Sequence, residues 1–409
     1  MASLKLSSVF CSIFVLIQLW IVIAQPKKVC KIPPSIVTPD SPKILMNENE
    51  SVASSTRNYK TGDYVTFICT DSIKNVMVIT NRNPRVEHQI LAHCVQDTSF
   101  RIDRTIYNFS QIICQKPPPI THRNVGHCSN QTEEKVQIGF RVGRGFISLI
   151  EACYDVVRDI PVTTRHILRK YVKRVETEDD RRNFHKRRIA DHRENVFRCE
   201  NQFANLETLI RSSTEARRYI NCKEGGDMYF VRGFLAPISD FLPGYQFEEK
   251  SYVYNTAPQW LTANVGNWLH LENKIRSYVN KKNTDLAIMT GTLQVTTLPD
   301  YVGVERHLYL DAQARKTPVP ALFWKLLHDQ SRNAGIVFIG VNNPYHSSPR
   351  AHGYIICTCM CSKAKGWFND RNRFDTQKGY IYCCTVEEFV HKTNIFSVSF
   401  NVRKILDYS

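Results

Sequence analysis

The fold of this chain is decided by two neighbouring segments, YFVRGFLAPISDF at residues 229–241 and YNTAPQWLTANVGNWLHLENKIRSY at residues 254–278. The first is a short apolar run that an Arg-Gly pair interrupts. In the second, four side chains recur at intervals of four residues: Asn264, Trp268, Glu272 and Arg276. Each such step on a helix advances about 40° beyond a full turn, so the four form one slowly rotating stripe. An amide, a carboxylate and a guanidinium on that stripe, facing a strand that carries an arginine, suit a hydrated cation and a phosphate.

The first residues of the chain predict export. Residues 1–24, MASLKLSSVFCSIFVLIQLWIVIA, combine one early lysine, a long apolar run and small residues near the end, which is the pattern of a secretory signal peptide. No later run approaches the roughly 18 apolar residues that a membrane-spanning helix needs. We therefore expect a secreted, extracellular protein with no membrane partner.

The cysteines and sequons fit the same compartment. Of fourteen cysteines, Cys11 leaves with the signal peptide, and the remaining odd number predicts disulfides plus one thiol. The segment CTCMC at 357–361, with the pair 383–384, could bind zinc, but the usual two-residue spacer is absent and disulfides are favoured. Three sequons predict a glycoprotein: Asn49, Asn108 and Asn130.

The chain is strongly basic. Its formal charge of +16 loses only Lys5 with the signal peptide, which leaves +15. A basic exported protein is expected to bind polyanions such as nucleic acid, acidic glycans or anionic membranes, and charge alone does not choose among them. The charged segment 166–198 is interpreted as a solvated helix or loop that can add phosphate contacts.

Composition divides the mature chain in two. Residues 25–135 predict a β-rich accessory domain, because apolar and polar side chains alternate in several short runs and five cysteines lie at intervals typical of a disulfide-stapled domain. This part contains no catalytic pattern. The triple proline at 117–119 and a polar stretch mark the boundary, and residues 136–409 contain the central segments.

The central segments resemble the DNA/RNA non-specific endonucleases, especially the secreted arthropod-type members. That family has Arg-Gly-His on a strand, then Asn-x-x-Pro-Gln, Asn-x-Gly-x-Trp, and a Glu with an Arg four residues later. Eight residues match at the family's spacing: Asn255, Pro258, Gln259, Asn264, Gly266, Trp268, Glu272 and Arg276. The resemblance is strong over 232–276 and weaker over about 140–400. It implies an α+β, ββα-metal nuclease fold behind the N-terminal disulfide-stapled β-rich domain.

The resemblance also implies roles for individual residues. Asn264 would be the one direct protein ligand of a Mg²⁺ or another divalent cation, because Mg²⁺ keeps most of its waters. Glu272 would hold a metal-bound water, and Asn255 would help to position the site. Three arginines would face the phosphate or its developing charge: Arg232, Arg276 and Arg182.

One departure from the family pattern outweighs the matches. The histidine that acts as general base is replaced by Phe234, and a phenyl ring neither accepts nor donates a proton. Losing a general base typically lowers the rate about 10²- to 10⁴-fold. The acidic residue that the strictest members place before the arginine is Val231 here. Three histidines could supply a substitute base, although no spacing directs them to the site: His166, His185 and His270.

Each site residue also has a simpler structural interpretation. Trp268 fits core packing better than base stacking, Glu272 and Arg276 could form an ordinary i,i+4 helix pair, and Asn264 could cap a helix. Together, at the family's spacing and after Arg232, they favour a site. The sequence therefore predicts a secreted protein that binds DNA and RNA and a divalent cation, with catalysis lost or strongly impaired.

Two alternatives stay open at this point. One is an active Mg²⁺-dependent endonuclease that uses a substitute base or metal-bound hydroxide to hydrolyse DNA and RNA. The other is an extracellular interaction protein that uses the nuclease fold only as a scaffold.

Overall fold

The structure is a computed structural model, and it describes most of the chain. The described residues are 29–38, 40–45, 58–69, 77–79, 89–128, 131–142, 145–170, 172, 175–223, 225–241, 246–349, 353–368, 372–395 and 402–408. The expected signal peptide and the sequons at Asn49 and Asn130 lie outside them. No helix of the described part is long and apolar enough to cross a membrane.

The N-terminal part is built from short strands. Among the described residues these are β1 (Val29–Lys31), β2 (Lys43–Leu45), β3 (Asn58–Lys60), β4 (Tyr64–Ile68), β5 (Met77–Ile79), β6 (Gln89–Gln96), β7 (Ser99–Ile102), β8 (Thr105–Asn108) and β9 (Ile112–Cys114). Five of them form a sheet in the order β2-β4-β6-β7-β8, and β1 pairs with β3 and β5 with β9. Its core contains two disulfides, Cys30–Cys94 and Cys69–Cys114.

The remaining sequon, at Asn108, lies in this part of the chain. Its side-chain amide already makes hydrogen bonds. Asn108 Nδ2 donates to Thr98 Oγ1 at 2.7 Å, and its Oδ1 accepts from the Ser110 amide at 3.1 Å as a helix cap. Glycosylation stays a prediction.

A ten-stranded, mostly antiparallel sheet dominates the rest of the chain. Its strands are β10 (Pro119–His127), β11 (Glu133–Val142), β12 (Gly145–Asp155), β13 (Ile160–Leu168), β15 (Gln246–Phe247), β17 (Leu286–Val295), β22 (Pro320–Asp329), β23 (Ala334–Val341), β24 (Ile381–Cys384) and β25 (Lys404–Ile405). They are ordered β15-β10-β11-β12-β13-β17-β22-β23-β24, and β25 pairs with β23. The domain boundary expected at residue 135 falls inside β11. The large sheet starts earlier in the chain, with β10.

Helices and small strand pairs complete the α+β fold. The described helices are α1 (Glu178–His185), α2 (Cys199–Ile210), α3 (Ser213–Tyr219), α4 (Leu261–Val265), α5 (Asn267–Lys282) and α6 (Val386–Thr393). Three strand pairs lie off the main sheet: β14 (Phe230–Phe234) with β16 (Thr256–Trp260), β18 (Thr297–Pro299) with β19 (Glu305–His307), and β20 (Tyr309–Asp311) with β21 (Lys316–Pro318).

Helix α5 packs its apolar face on the large sheet. Leu271, Ile275 and Tyr278 share one core cluster with Phe323 and Phe338 of the sheet. Trp268 belongs to the same cluster and is 3% exposed. Burying side chains of this size is the main stabilisation available to such a layer. Core packing of Trp268, as expected from the sequence, is confirmed.

The four-residue stripe does not lie on one helix, so that expectation is wrong. Asn264 is on the short helix α4, while the other three members are on α5, and Gly266 separates the helices. A Cβ at Gly266 would lie 2.6 Å from the Lys378 carbonyl oxygen, so a side chain does not fit there. Nor does Asn264 cap α5, whose cap residue is Gly266.

The cysteines pair as disulfides, which confirms the preferred interpretation of the C-terminal segment. Cys357 pairs with Cys384 and Cys361 with Cys383. Cys359 is the free, exposed thiol of the described chain. Two further disulfides are Cys128–Cys153 and Cys199–Cys222. No group of three or more His, Cys, Asp or Glu residues suited to a metal ion occurs among the described residues.

Candidate active site

A small pocket lies where strand β14 ends against helices α1, α4 and α5. Its volume is about 90 Å³, room for a few water molecules. Antiparallel pairing places Phe234, at the end of β14, opposite Thr256 at the start of β16, and α4 follows the other end of β16 directly. Four residues singled out from the sequence line the pocket: His185, Phe234, Asn264 and Glu272.

The Asn264 side chain is buried and is hydrogen-bonded through both its nitrogen and its oxygen. Its Nδ2 donates to Gln259 Oε1 at 2.8 Å, so its Oδ1 is the acceptor for His185 Nε2 at 3.0 Å. Its backbone carbonyl accepts from Arg181 Nη1 at 2.9 Å. The family's Pro-Gln pair is thereby explained in part, because Gln259 fixes which way the amide faces.

Glu272 is held by two cations rather than by solvent. Arg181 Nη2 lies 2.6 Å from Glu272 Oε2 and 2.6 Å from Glu176 Oε2. Lys325 Nζ lies 3.6 Å from Glu272 Oε1. Burial disfavours the charged form of Arg181, but the attraction of both carboxylates outweighs burial and raises the pKa of Arg181. Burial lowers the pKa of Lys325 despite Glu272.

Arg276 lies behind the pocket in a second buried ion pair. Its Nη1 donates to Asp240 Oδ1 at 2.7 Å, and Asp240 Oδ2 lies 2.9 Å from His166 Nε2. Burial alone would raise the pKa of Asp240, but the His166 hydrogen bond and the Arg276 charge lower it to about 2. Arg276 Nη2 also approaches Glu176 at 3.8 Å. The guanidinium is thus enclosed by protein groups.

Two other expected site residues lie outside the pocket. Asn255 is buried and both accepts from the Ala236 amide and donates to the Ala236 carbonyl, each at 2.8 Å. It therefore holds the chain just after Phe234. Arg232 pairs with Asp191 at 2.8 Å and stacks over the Phe197 ring at 4.4 Å.

The structure does not bring Arg182 to the pocket. Arg182 Nη1 pairs with Asp227 at 2.6 Å, and its neighbour Arg181 occupies the position beside Glu272. Adjacent residues point to different faces of a helix, and the local Arg-Asn-aromatic match could not choose the face. The four-residue spacing of Arg181 and His185 is a signal that could have found both, because such residues share one face.

Phe234 is part of an aromatic cluster at the mouth of the pocket. Its ring centroid lies 5.2 Å from that of Phe184 and 5.3 Å from that of Tyr252, both edge-to-face. Where the family resemblance places a proton acceptor, the pocket therefore has an apolar wall.

Of the three candidate substitute histidines, His185 is the one that lines the pocket. Burial lowers the pKa of His185 to about 4, although the hydrogen bond with Asn264 opposes this shift. The imidazole is therefore neutral at pH 7. His166 is bound to Asp240, and His270 is exposed on α5.

A large basic groove opens beside the pocket, and His185 lines both. The groove has a volume of about 980 Å³, and the Cys199–Cys222 disulfide joins two of its walls. Seven cations line it: Arg182, Lys186, Arg187, Arg188, Arg198, Lys223 and Arg232. Three carboxylates line it as well: Glu194, Glu200 and Asp227. The excess of positive charge suits a nucleic-acid backbone.

Comparison with known proteins agrees with this architecture. The family model described as DNA/RNA non-specific endonuclease matches residues 131–389. A salivary endonuclease of Lutzomyia longipalpis is 28% identical over 63% of this chain and 61% of its own length. Salivary protein Tsal2A of Glossina morsitans morsitans is 26% identical over 50% of this chain and 52% of its own length. The chain thus spans between about half and three fifths of these two relatives.

Two further similarities are more distant. A salivary endonuclease of Culex quinquefasciatus is 23% identical over 95% of this chain and 96% of its own length. A chain from the crystal structure of the EndoG/EndoGI complex is 14% identical, covers 63% of this chain and 87% of that chain, and has a TM-score of 0.34. The match of the family model over residues 131–389 shows that the chain belongs to the DNA/RNA non-specific endonuclease family.

Proposed function

We propose that this chain is a secreted member of the family that binds DNA and RNA and whose cleavage activity is lost or strongly impaired. The observation that carries the proposal is Phe234, packed against Phe184 and Tyr252 at the position of the general base. Without a proton acceptor at that position, attack by water loses about 10²- to 10⁴-fold in rate.

Nucleic-acid binding is supported by the basic groove. Its cations outnumber its carboxylates, and Lys186, Arg187 and Arg188 are exposed. Exposed cations along a groove release counterions from a polyanion, which supplies affinity that does not depend on sequence. Export is supported by the disulfides and by the salivary relatives.

The cation that the family implies does not fit the site as the residues are arranged. A hydrated Mg²⁺ needs an accessible oxygen ligand and room for several waters. Asn264 Oδ1 already accepts from His185, and Glu272 Oε2 already accepts from Arg181. The other carboxylate oxygen, Glu272 Oε1, is buried without a hydrogen bond and lies 3.6 Å from Lys325 Nζ. We therefore place no catalytic step on a metal.

The test is an assay of binding and cleavage on the same protein. Labelled DNA and RNA should bind with an affinity that falls steeply as salt rises, as phosphate contacts require. Plasmid and RNA should be degraded far more slowly than by a Phe234→His variant at saturating Mg²⁺. Salt-insensitive or absent binding would instead favour a protein that uses the fold only as a scaffold.

A second candidate is an active endonuclease in which His185 acts as the base. The observation that favours it is a neutral imidazole inside the pocket beside Asn264. Its Nε2 is used as a donor to Asn264, which argues against that role. This candidate requires wild-type cleavage that chelation, Asn264→Ala and His185→Ala each abolish.

A further inference from the structure

We propose that helix α1 closes the site against divalent cations, because its residues His185 and Arg181 occupy the groups a cation would need. The inference deepens the proposed function and rests on it only for the identity of the pocket. It explains why Asn264 Oδ1 and Glu272 Oε2, at the family's spacing, both lie within hydrogen-bond distance of side chains of α1.

The first argument is geometric. Arg181 and His185 are four residues apart on α1 and so share one helix face. Arg181 reaches Glu272 Oε2 at 2.6 Å, and His185 reaches Asn264 Oδ1 at 3.0 Å. Phe184, between them, packs on Phe234. A single short helix thus contacts the expected metal ligand, the expected water-binding carboxylate and the position of the base.

The second argument is that hydrogen bonds hold the start of α1 in place. Thr177 and Asp180 form a reciprocal capping box at its start. Just before it, the Glu176 amide donates to Asn273 Oδ1 at 3.0 Å, and Asn273 Nδ2 donates to the Glu176 carbonyl at 2.8 Å. Asn273 follows Glu272 on α5. The start of α1 is therefore fixed to the helix that carries the carboxylate.

The third argument is charge balance. The ion-pair cluster around the pocket contains three carboxylates and three cations in direct contact: Glu176, Asp240, Glu272, Arg181, Arg276 and Lys325. Even with Asp180, a fourth carboxylate that lines the pocket, a divalent cation would leave an excess of positive charge beside buried groups, which is unfavourable. A cation that binds must therefore displace α1, so we expect it to bind weakly and to occupy the site only at high concentration.

The experiment measures binding of Mn²⁺, used as the probe ion, from the electron paramagnetic resonance signal of the free ion. The full-length mature protein is compared with His185→Ala, His185→Gln and the exposed control His270→Ala. His185→Ala removes one hydrogen bond to Asn264 and should bind Mn²⁺ about tenfold more tightly than wild type. His185→Gln keeps a donor and should resemble wild type, as should His270→Ala.

Two results would overturn the proposal. Equal Mn²⁺ affinity of wild type and a folded His185→Ala variant would show that His185 does not compete with the ion. Weaker binding by both His185 variants would make His185 a ligand instead.

A measurement on the wild type alone tests the proposal without any variant that could misfold. Its melting temperature should be unchanged by chelator and by Mn²⁺, and a clear rise with Mn²⁺ would also contradict the proposal. Loss of nucleic-acid binding in the separate assay would reject the proposed function and leave this inference untouched.

Discussion

The groove and the pocket lie side by side, but their charged residues differ in exposure and in pairing. Groove cations such as Lys186 and Arg188 are exposed and exceed the nearby carboxylates. Arg181, which lines the pocket, and Arg276, behind it, are buried and paired with carboxylates. The difference teaches that binding and chemistry can separate in one fold, since a change at Phe234 alters proton transfer without altering the groove.

The largest expected effect is on the free energy of unfolding. It should be larger for a buried arginine behind the pocket than for a partly exposed arginine in the groove. Arg276→Ala leaves Asp240 buried without its ion-pair partner, so the free energy of unfolding should fall by about 3–5 kcal/mol. Arg182→Ala, in the groove, removes a partly exposed pair and should change it by less than about 1 kcal/mol. Chemical denaturation measures both. Similar changes in the free energy of unfolding for the two variants would contradict this difference between the buried arginine and the groove arginine.

The next effect is on binding. The double reversal Lys186→Glu, Arg188→Glu places two negative charges in the groove and should weaken binding of DNA and RNA about 100-fold at low salt. The control, Lys60→Glu with Arg104→Glu, makes the same change in net charge on the N-terminal part. Fluorescence anisotropy with labelled oligonucleotides distinguishes them. Equal weakening by the control would mean that net charge, not the groove, drives binding.

A smaller effect concerns acid stability. The folded pKa of Asp240 is lowered to about 2 from an ordinary value of 3.8. The stabilisation is therefore fully present above pH 4 and is lost as the pH falls towards 2, and it amounts to about 2 kcal/mol. Asp240→Asn should flatten the pH dependence of unfolding in that window. An unaltered slope in Asp240→Asn would contradict this.

Much of the pocket follows from local spacing. Asn264, Glu272 and Phe234 meet in one pocket because short elements carry them and short connections join those elements. The disulfides of the C-terminal segment follow from compartment and spacing as well. The α+β class follows from the family resemblance of the central segments.

The sequence could not predict which side chains come into contact when the two residues lie far apart in the chain. Arg276 and Arg232 were expected to face a phosphate, but they pair with Asp240 and Asp191. Choosing Arg181 over Arg182 requires the register of α1, which a short charged segment does not fix. The break at Gly266 arises from a close approach to Lys378, more than a hundred residues away.

The most direct test of the central claim compares cleavage of plasmid DNA and RNA by wild type, Phe234→His and Tyr252→His at saturating Mg²⁺. Tyr252→His is the matched control, because it puts an imidazole into the same aromatic cluster at a different position. We expect Phe234→His to be about 10²- to 10⁴-fold faster than wild type and Tyr252→His to be no faster. Wild-type turnover equal to that of Phe234→His would contradict the account.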